Sequence, residues 1–326
     1  MNTMSARSPE VEHRATAPVL DLGLPASVRA GIAVQRNWDT RDRAPAISLL
    51  LPSRGRPQVL QRFLDSIAAT ASRPEQVEVV LYTDLDDAAA QDLAGARLNL
   101  TRLHGPRLNM SEFNTACAEQ SSGRLLMLAN DDVIAETPGW DEVLQGLLVR
   151  YADGIFLGWP RDGVMNERLA TFPILSRRAC VLMSAPFGTG YRRLFIDTHV
   201  TDVFLRLRVL GVQRLHYLGD VVFRHFHAPE QGGLRTELAD DMEFLRQRQL
   251  RAWQAARLHA AVTGREPSIQ APAADAFVEP TGLWQALHLY TRALLFDTGL
   301  PWRKRLGYWA WFCGHFARIR AVPGVG

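Results

Sequence analysis

From residue 46 to about 158, short apolar runs alternate with stretches of helical periodicity. Ile47-Ser48-Leu49-Leu50-Leu51 is almost wholly apolar and is stopped by Pro52, the pattern of a strand buried on both faces. Ser53-Arg54-Gly55-Arg56-Pro57 reads as a turn, with Pro57 suited to the first position of a helix. Val59, Leu60, Phe63, Leu64 and Ile67 then recur at helical spacing. Residues 75–83 predict a second strand, ended by the acidic loop Asp84-Leu85-Asp86-Asp87, and residues 98–103 a third. Ser111 to Gln120 reads as a helix, and Arg124 to Ala129 as a strand ended by Asn130-Asp131-Asp132. Thr137-Pro138 has the form of a cap followed by a first helical residue, opening a helix with Val143, Leu144, Leu147, Leu148 and Tyr151 on one face. Strands alternating with helices predict βαβ units and a mainly parallel sheet flanked by helices, a Rossmann-like α/β fold.

Further along, Ile155 to Trp159, Val181 to Ser184, Gln213 to Leu218 and Val221 to Phe226 read as strands. Thr201 to Leu210 reads as a helix stopped by Gly211. The expected organisation is an N-terminal arm over 1–44, an α/β body over 45–232, a packing helix over 233–262 and a Pro/Ala-rich linker over 263–281. An aromatic and basic helical extension over 282–326 completes it.

Composition changes this picture in one place. The chain has 326 residues, 47% hydrophobic and 22% charged, which excludes wholesale disorder and a disulfide scaffold. Its net charge of +3 is unevenly spread. Residues 301–326 hold Arg303, Lys304, Arg305, Arg318 and Arg320 and no acid, so the rest of the chain sums to about −2. A nucleic-acid footprint across the body is therefore not expected. Cys117, Cys180 and Cys313 are too widely spaced for a zinc site or a disulfide framework, which favours a reducing cytoplasm. The polar N-terminus has no signal-peptide pattern, and no apolar run is long enough to span a bilayer.

In a parallel sheet, ligands bind beyond the carboxyl ends of the strands. Those ends are Ser53-Arg54, Thr83-Asp84 and Asn130-Asp131-Asp132, and none carries a dinucleotide or P-loop glycine pattern. Asn130-Asp131-Asp132 offers oxygen donors for a hard divalent cation such as Mg²⁺ or Mn²⁺, or forms an Asx turn. His225 and His227, two apart on an expected strand, point to one face and can complete such a site, or are an ordinary pair of histidines. Asp197 and Asp202 flank the start of a helix, where acids serve as caps or as a general base. Arg206, four residues past Asp202, permits a plain helical ion pair. Asp162, in the loop after the strand ending near Trp159, can bind sugar hydroxyls or cap a turn. Trp302-Arg303-Lys304-Arg305-Leu306-Gly307-Tyr308-Trp309 suits either an anionic membrane surface or a helix packed on the body with its tryptophans inside.

Taken in order, these features resemble the family 2 glycosyltransferases of GT-A fold over about residues 46–230. Ala46 to Asp87 looks like that family's opening, and Gly105 to Asn114 falls where it has a stretch ending in a helical Asn. Gly123 to Asp132 looks like the strand carrying its D-x-D motif, and Val221 to His227 the strand that delivers a metal-binding His. The resemblance implies a catalytic domain over 45–232 that moves a sugar from a nucleotide-diphosphate sugar to a hydroxyl of a glycan, glycolipid or lipid-linked acceptor. Such transfer would be metal-assisted and inverting, in the cytoplasm or at the inner face of the membrane. It implies that Pro52, Ser53 and Arg54 border the nucleotide and that Asp84, or Asp86, contacts its base or ribose. Asn114 would line the donor site, and Asp131 would lie near the donor sugar. Asn130 and Asp132, with His225 or His227, would hold Mn²⁺ or Mg²⁺. Two departures stand out: Asn130 replaces the usual first Asp, and Val200 occupies the usual base position, leaving Asp197, then Asp202, as the nearest acids. The other readings are a nucleotidyltransferase on a similar sheet, which would release pyrophosphate, and an inactive nucleotide-sugar-binding module.

Overall fold

The computed structural model describes residues 20–39, 45–87, 97–226, 238–266, 272 and 277–321. In chain order its elements are α1 (Ala26–Ala30), β1 (Ala33–Arg36), β2 (Ile47–Pro52), α2 (Pro57–Thr70), β3 (Val77–Asp84), β4 (Asn99–Gly105), α3 (Met110–Gln120), β5 (Leu125–Leu128), β6 (Val133–Ala135) and α4 (Trp140–Arg150). There follow β7 (Leu157–Arg161), β8 (Ile174–Ser176), α5 (Arg177–Met183), α6 (Ile196–Val209), β9 (Leu215–His225), α7 (Ala239–Arg246), α8 (Arg248–Thr263), α9 (Leu283–Tyr290), a π-helical turn at Thr291–Leu295, and α10 (Trp302–Ala321).

Among the described residues the strands form a nine-stranded sheet in the order β1-β4-β3-β2-β5-β8-β7-β9-β6. Its centre, β4-β3-β2-β5, is parallel throughout, while β1, β8 and β6 pair antiparallel to their neighbours. Successive side chains on a strand face opposite ways, so each strand feeds two cores. Leu49, Leu51, Val79, Leu81, Leu125 and Met127 pack with Leu60, Phe63, Leu64 and Ile67 of α2 and Trp140 and Leu144 of α4. Leu50, Val80, Tyr82, Leu126 and Leu128 pack on the other side with residues of α3, α6, α8 and α10. Glu78, a charge inside an otherwise apolar strand, accepts hydrogen bonds from Ser48 Oγ (2.5 Å), Thr101 Oγ1 (2.8 Å) and the Ser122 amide (2.7 Å). Its burial is thereby offset.

Several elements differ from the sequence reading. Val181 to Ser184 is the end of helix α5 and its cap, because Ser176 Oγ caps the helix by accepting from the Ala179 amide (3.0 Å). Gln213 to Leu218 and Val221 to Phe226 belong to one long strand, β9, with a shift of register where it leaves β7. Thr137 does not cap α4. Its hydroxyl bridges Asp220 O (3.1 Å) and the Val222 amide (2.9 Å) of β9, and α4 begins after Gly139, which has φ 74°. The helical stretch after 233 divides at Gln247 into α7 and α8. Within 1–44, Leu20, Leu22 and Leu24 are buried and β1 joins the sheet edge, so residues 20–36 are part of the body's packing.

Candidate functional site

The carboxyl ends of β2, β3 and β5 lie at one edge of the sheet, where a crevice is expected, because the three strands run parallel and adjacent. Polar residues that a buried strand cannot hold are displaced to that edge. There Ser53, Arg54 and Arg56 follow β2, Asp84 to Asp87 end β3, and Asn130 to Asp132 follow β5. Ser53 Oγ donates to Asp131 Oδ2 at 2.6 Å. Arg54 clamps two acids of the next strand end, bonding Asp84 and, at 2.8 Å, Asp86. Arg56 bonds Asp131 and lies 3.7 Å from Asp132. The Gly55 amide donates to Asp87 Oδ2 at 2.7 Å, in a turn that needs the φ of 65° that glycine tolerates. The result is a belt of alternating charge along the mouth of the sheet. Arg56 and Asp87 did not figure among the sequence candidates. The signal for them was the second arginine of the Arg54-Gly55-Arg56 turn and the third acid of the loop after β3.

The fourth side of the crevice comes from far along the chain. β6 pairs antiparallel with β9, setting Val133 opposite His225. The Phe226 amide donates to Asp132 O (2.9 Å), and the His225 amide to Asp162 O (3.0 Å). This register places His225 Nε2 3.1 Å from Asp132 Oδ1. The edge of the imidazole also meets the Phe172 ring, with centroids 5.8 Å apart. His227 lies outside the described residues.

The two adjacent acids are tuned in opposite directions. Burial pushes the Asp131 carboxyl above its ordinary value, against the bonds from Ser53 and Arg56. Burial also opposes ionisation of Asp132, but the hydrogen bond and charge of His225 and the charge of Arg56 outweigh it and hold Asp132 below the usual 3.8. A carboxyl depressed on folding stabilises the native state above its unfolded value, and that stabilisation is lost as pH falls through the lower native value. The difference in unfolding midpoint between wild type and Asp132→Asn is thus expected to be present at about pH 5 and to vanish only below about pH 4. A difference that disappears already near pH 6 would contradict this ordering.

Asp132 and His225 are a hydrogen-bonded pair whose spacing is also compatible with two ligands of one divalent cation. Two ligands about 2.1 Å from an octahedral ion and at right angles to each other stand about 3.0 Å apart, close to the separation of this pair. Asn130, two residues before Asp132, is half-buried. Among the described residues no three His, Cys, Asp or Glu side chains form a complete cage. Two protein ligands alone could serve only an ion that takes its other positions from water or phosphate oxygens, as Mg²⁺ sites commonly do.

The other sequence candidates fall in different settings. Pro52 ends β2 and pairs with Tyr82 in register. Asp84 is buried, and among the described residues its Oδ1 has no hydrogen-bond partner. Asn114 is buried in α3, and its Nδ2 donates to Met110 O at 2.8 Å, one turn back. Asp162 caps its own loop, accepting from the amides of Val164 (3.0 Å), Met165 (2.9 Å) and Asn166 (2.6 Å) and from Thr171 Oγ1 (2.9 Å).

Asp197 and Asp202 separate sharply. Helix α6 starts at Ile196, five residues before the expected start, so Asp197 sits in its first turn and not in a preceding loop. It is half-buried, and Oδ1 accepts from the Thr198 amide at 2.6 Å. Asp202 lies a turn and a half further in and has no exposed surface. Its Oδ1 accepts from Arg206 Nε at 2.5 Å, and Arg251 Nε stands 3.0 Å away. Arg206 in turn forks onto Asp297 at 3.2 and 2.6 Å. A carboxylate enclosed by two guanidinium groups in a dry interior is a poor proton acceptor for a substrate hydroxyl.

No known family model matches the sequence, and no curated protein matches it either. Solved structures do match the fold. Staphylococcus aureus TarS (residues 1–349) in complex with UDP-GlcNAc is similar at 13% identity and a TM-score of 0.50, over 84% of this chain and 90% of that one. The Pyrobaculum calidifontis mannosyltransferase PcManGT, in complex with GDP-Man and Mn²⁺, is similar at 15% identity and a TM-score of 0.44, over 86% and 78%. Glucosyl-3-phosphoglycerate synthase from Mycobacterium tuberculosis, with phosphoglyceric acid, is similar at 15% identity and a TM-score of 0.42, over 69% and 82%. The likeness to TarS shows the fold: this chain has a GT-A-type α/β architecture.

Proposed function

We propose that this protein is a glycosyltransferase that moves a sugar from a nucleotide-diphosphate sugar to an acceptor hydroxyl. The observation that carries the reading is the meeting of Asp132 and His225, 3.1 Å apart, at the strand edge that also holds Ser53, Arg54, Asp84 and Asp131. A nucleoside diphosphate needs cations at its phosphates and polar partners for its base and ribose, and this edge offers both.

In this reading Pro52, Ser53 and Arg54 border the nucleotide. Asp84, whose buried Oδ1 lacks a donor among the described residues, accepts from a ribose hydroxyl or a base N–H, with Asp86 next to it. Asn114 contributes from α3, and Asp131, held by Ser53 and Arg56, orients the donor sugar. Asp132, His225 and Asn130 would hold a divalent cation, Mn²⁺ or Mg²⁺. When bound, such an ion offsets the charge of the leaving diphosphate. Asp197 is the base that takes the proton of the acceptor hydroxyl, and a single displacement inverts the anomeric carbon. Asp202 is a positioning residue of the interior.

Binding to the native state raises the unfolding temperature in proportion to the logarithm of ligand concentration over its dissociation constant. At about 100 times that constant the stabilisation is about 2.7 kcal/mol. A thermal-shift series of nucleoside diphosphates and nucleotide sugars, with and without Mn²⁺, is expected to give shifts for one base that grow with the metal. Incubation of that donor with acceptor should release nucleoside diphosphate. Release of pyrophosphate would overturn the reading in favour of nucleotidyl transfer, and an absence of any shift would overturn the nucleotide site itself.

A further inference from the structure

The C-terminal elements carry a surface that the proposed reaction does not use. Helix α10 packs on the body through Phe312, His315, Phe316 and Ile319, all buried and spaced for one helical face. A surface helix ordinarily turns charged and polar residues outward. Here the side turned away from the body carries Trp302, Leu306, Ala310, Gly314, Ala317 and Ala321, all exposed, with the exposed Arg303 and Arg320 set among them. In the preceding segment Trp284, His288, Arg292 and Phe296 are exposed at four-residue spacing, an aromatic residue on either side of two polar ones. Trp284 is 83% exposed, Phe296 70% and Trp302 61%, values far above those of core aromatics.

The two segments lie side by side. Trp309 Nε1 donates to Thr291 Oγ1 at 3.0 Å, and Arg305 Nη1 donates to Leu295 O at 3.3 Å, next to Phe296. Their charge is of one sign. From residue 283 to 321 the acids number one, Asp297, and it is buried against Arg206. Arg292, Arg303, Arg318 and Arg320 are exposed around the apolar face.

We infer that the outward face of α9, the π-helical turn and α10 docks on an anionic lipid bilayer, with Trp284, Phe296, Trp302 and Leu306 entering the interface and the arginines meeting lipid phosphates. Charge complementarity decides the occupant, since basic residues around exposed aromatics match a negatively charged leaflet and would be repelled by a basic one. The depth is interfacial: no helix among the described residues is long and apolar enough to cross a membrane. The surface also has an address relative to the crevice. Lys304 Nζ donates to Arg168 O at 3.0 Å, tying the first turn of α10 to the loop after β7, and Asp162 of that loop supports His225. A bilayer bound at Trp302 would lie on the flank of the crevice built by β7 and β9, where an amphiphilic acceptor could enter without leaving the lipid phase.

The docking surface rests on no assumption about the reaction, and its test needs none. Sedimentation with phosphatidylcholine vesicles containing about a third phosphatidylglycerol is expected to carry the protein down, and neutral phosphatidylcholine vesicles are expected to carry down several-fold less. Raising salt to about 0.5 M is expected to weaken binding, because surface charge is then screened within a few ångströms. The triple variant Trp284→Ser, Phe296→Ser, Trp302→Ser is expected to lose at least about tenfold in partitioning, with an unchanged unfolding midpoint because all three side chains face solvent. Arg303→Glu, Arg318→Glu, Arg320→Glu is expected to abolish the preference for anionic vesicles. Wild-type protein that stays in the supernatant with anionic vesicles, or a triple serine variant that binds as well as wild type, would overturn the inference.

Discussion

Replacing Asp132 with Ala is expected to lower sugar transfer by about 10²–10³-fold or more while leaving the fold intact. The residue sits where three lines of geometry meet. It follows the central strand β5, its backbone carbonyl anchors the Phe226 amide of the strand-end extension, and its side chain bonds His225. Losing the carboxylate removes the anionic member of the proposed donor set, the one that would best hold a cation at a diphosphate. The structural cost is small because the side chain is partly open to solvent and its imidazole partner can turn to water, about 1 kcal/mol by comparison with other partly exposed pairs. Transfer assays with and without EDTA, beside circular dichroism of the variant, measure both quantities. Full activity in Asp132→Ala, or in excess EDTA, would eliminate the metal-assisted mechanism.

Replacing Arg206 with Met is expected to cost about 3–5 kcal/mol of stability, the largest structural effect anticipated in the chain. Arg206 is the hinge of an interior network that joins three separate segments: Asp202 on α6, Arg251 on α8 and Asp297 after the π-helical turn. Its guanidinium is held even more firmly in the charged form than usual, since Asp202 and Asp297 outweigh the desolvation that burial imposes. Methionine would fill similar volume but leave two buried carboxylates without their shared counter-ion. Gly299 belongs to the same arrangement, because a Cβ there would stand 2.6 Å from the Arg206 guanidinium. Denaturant unfolding measures the loss, and a midpoint within about 0.5 kcal/mol of wild type would show that the network contributes specificity and not stability. The same assay separates the two acids of α6. Asp202→Asn is expected to lose stability before activity, whereas Asp197→Asn is expected to lose activity at an unchanged midpoint.

The central sheet was legible because local pattern and tertiary role coincide there. Ile47–Pro52, Val77–Asp84 and Leu125–Leu128 are buried on both faces, and burial on both faces leaves a near-continuous apolar run with polar residues only at the ends. Placement of Ser53, Arg54, Asp84 and Asn130 to Asp132 at one edge follows from that. Elsewhere the local signal pointed to the wrong element. Val181 to Met183 has strand propensity, yet the Ser176 cap and packing on α8 make it helical. Thr137 has the form of a helix cap, yet its hydroxyl is taken by β9. The short strand β6 is only three residues, too short for any periodicity, and exists because β9 pairs with it.

The sequence by itself determined the α/β class, the parallel centre of the sheet and the acidic residues at its carboxyl edge, because hydrophobic period and chain order are local properties. It also located the basic, tryptophan-rich tail. Only the tertiary structure decided which candidates meet and which are sequestered. His225 reaches Asp132, 93 residues earlier, through a strand register. Asp202 is withdrawn into the interior by Arg251 and Arg206, while Asp197, five residues before it, stays half-exposed. The tail's aromatic residues likewise divide, with Phe312 and Phe316 inward and Trp284 and Trp302 outward. These outcomes depend on distances between residues far apart in the chain and on which face of a helix finds a partner, and neither quantity is written in any short stretch of sequence.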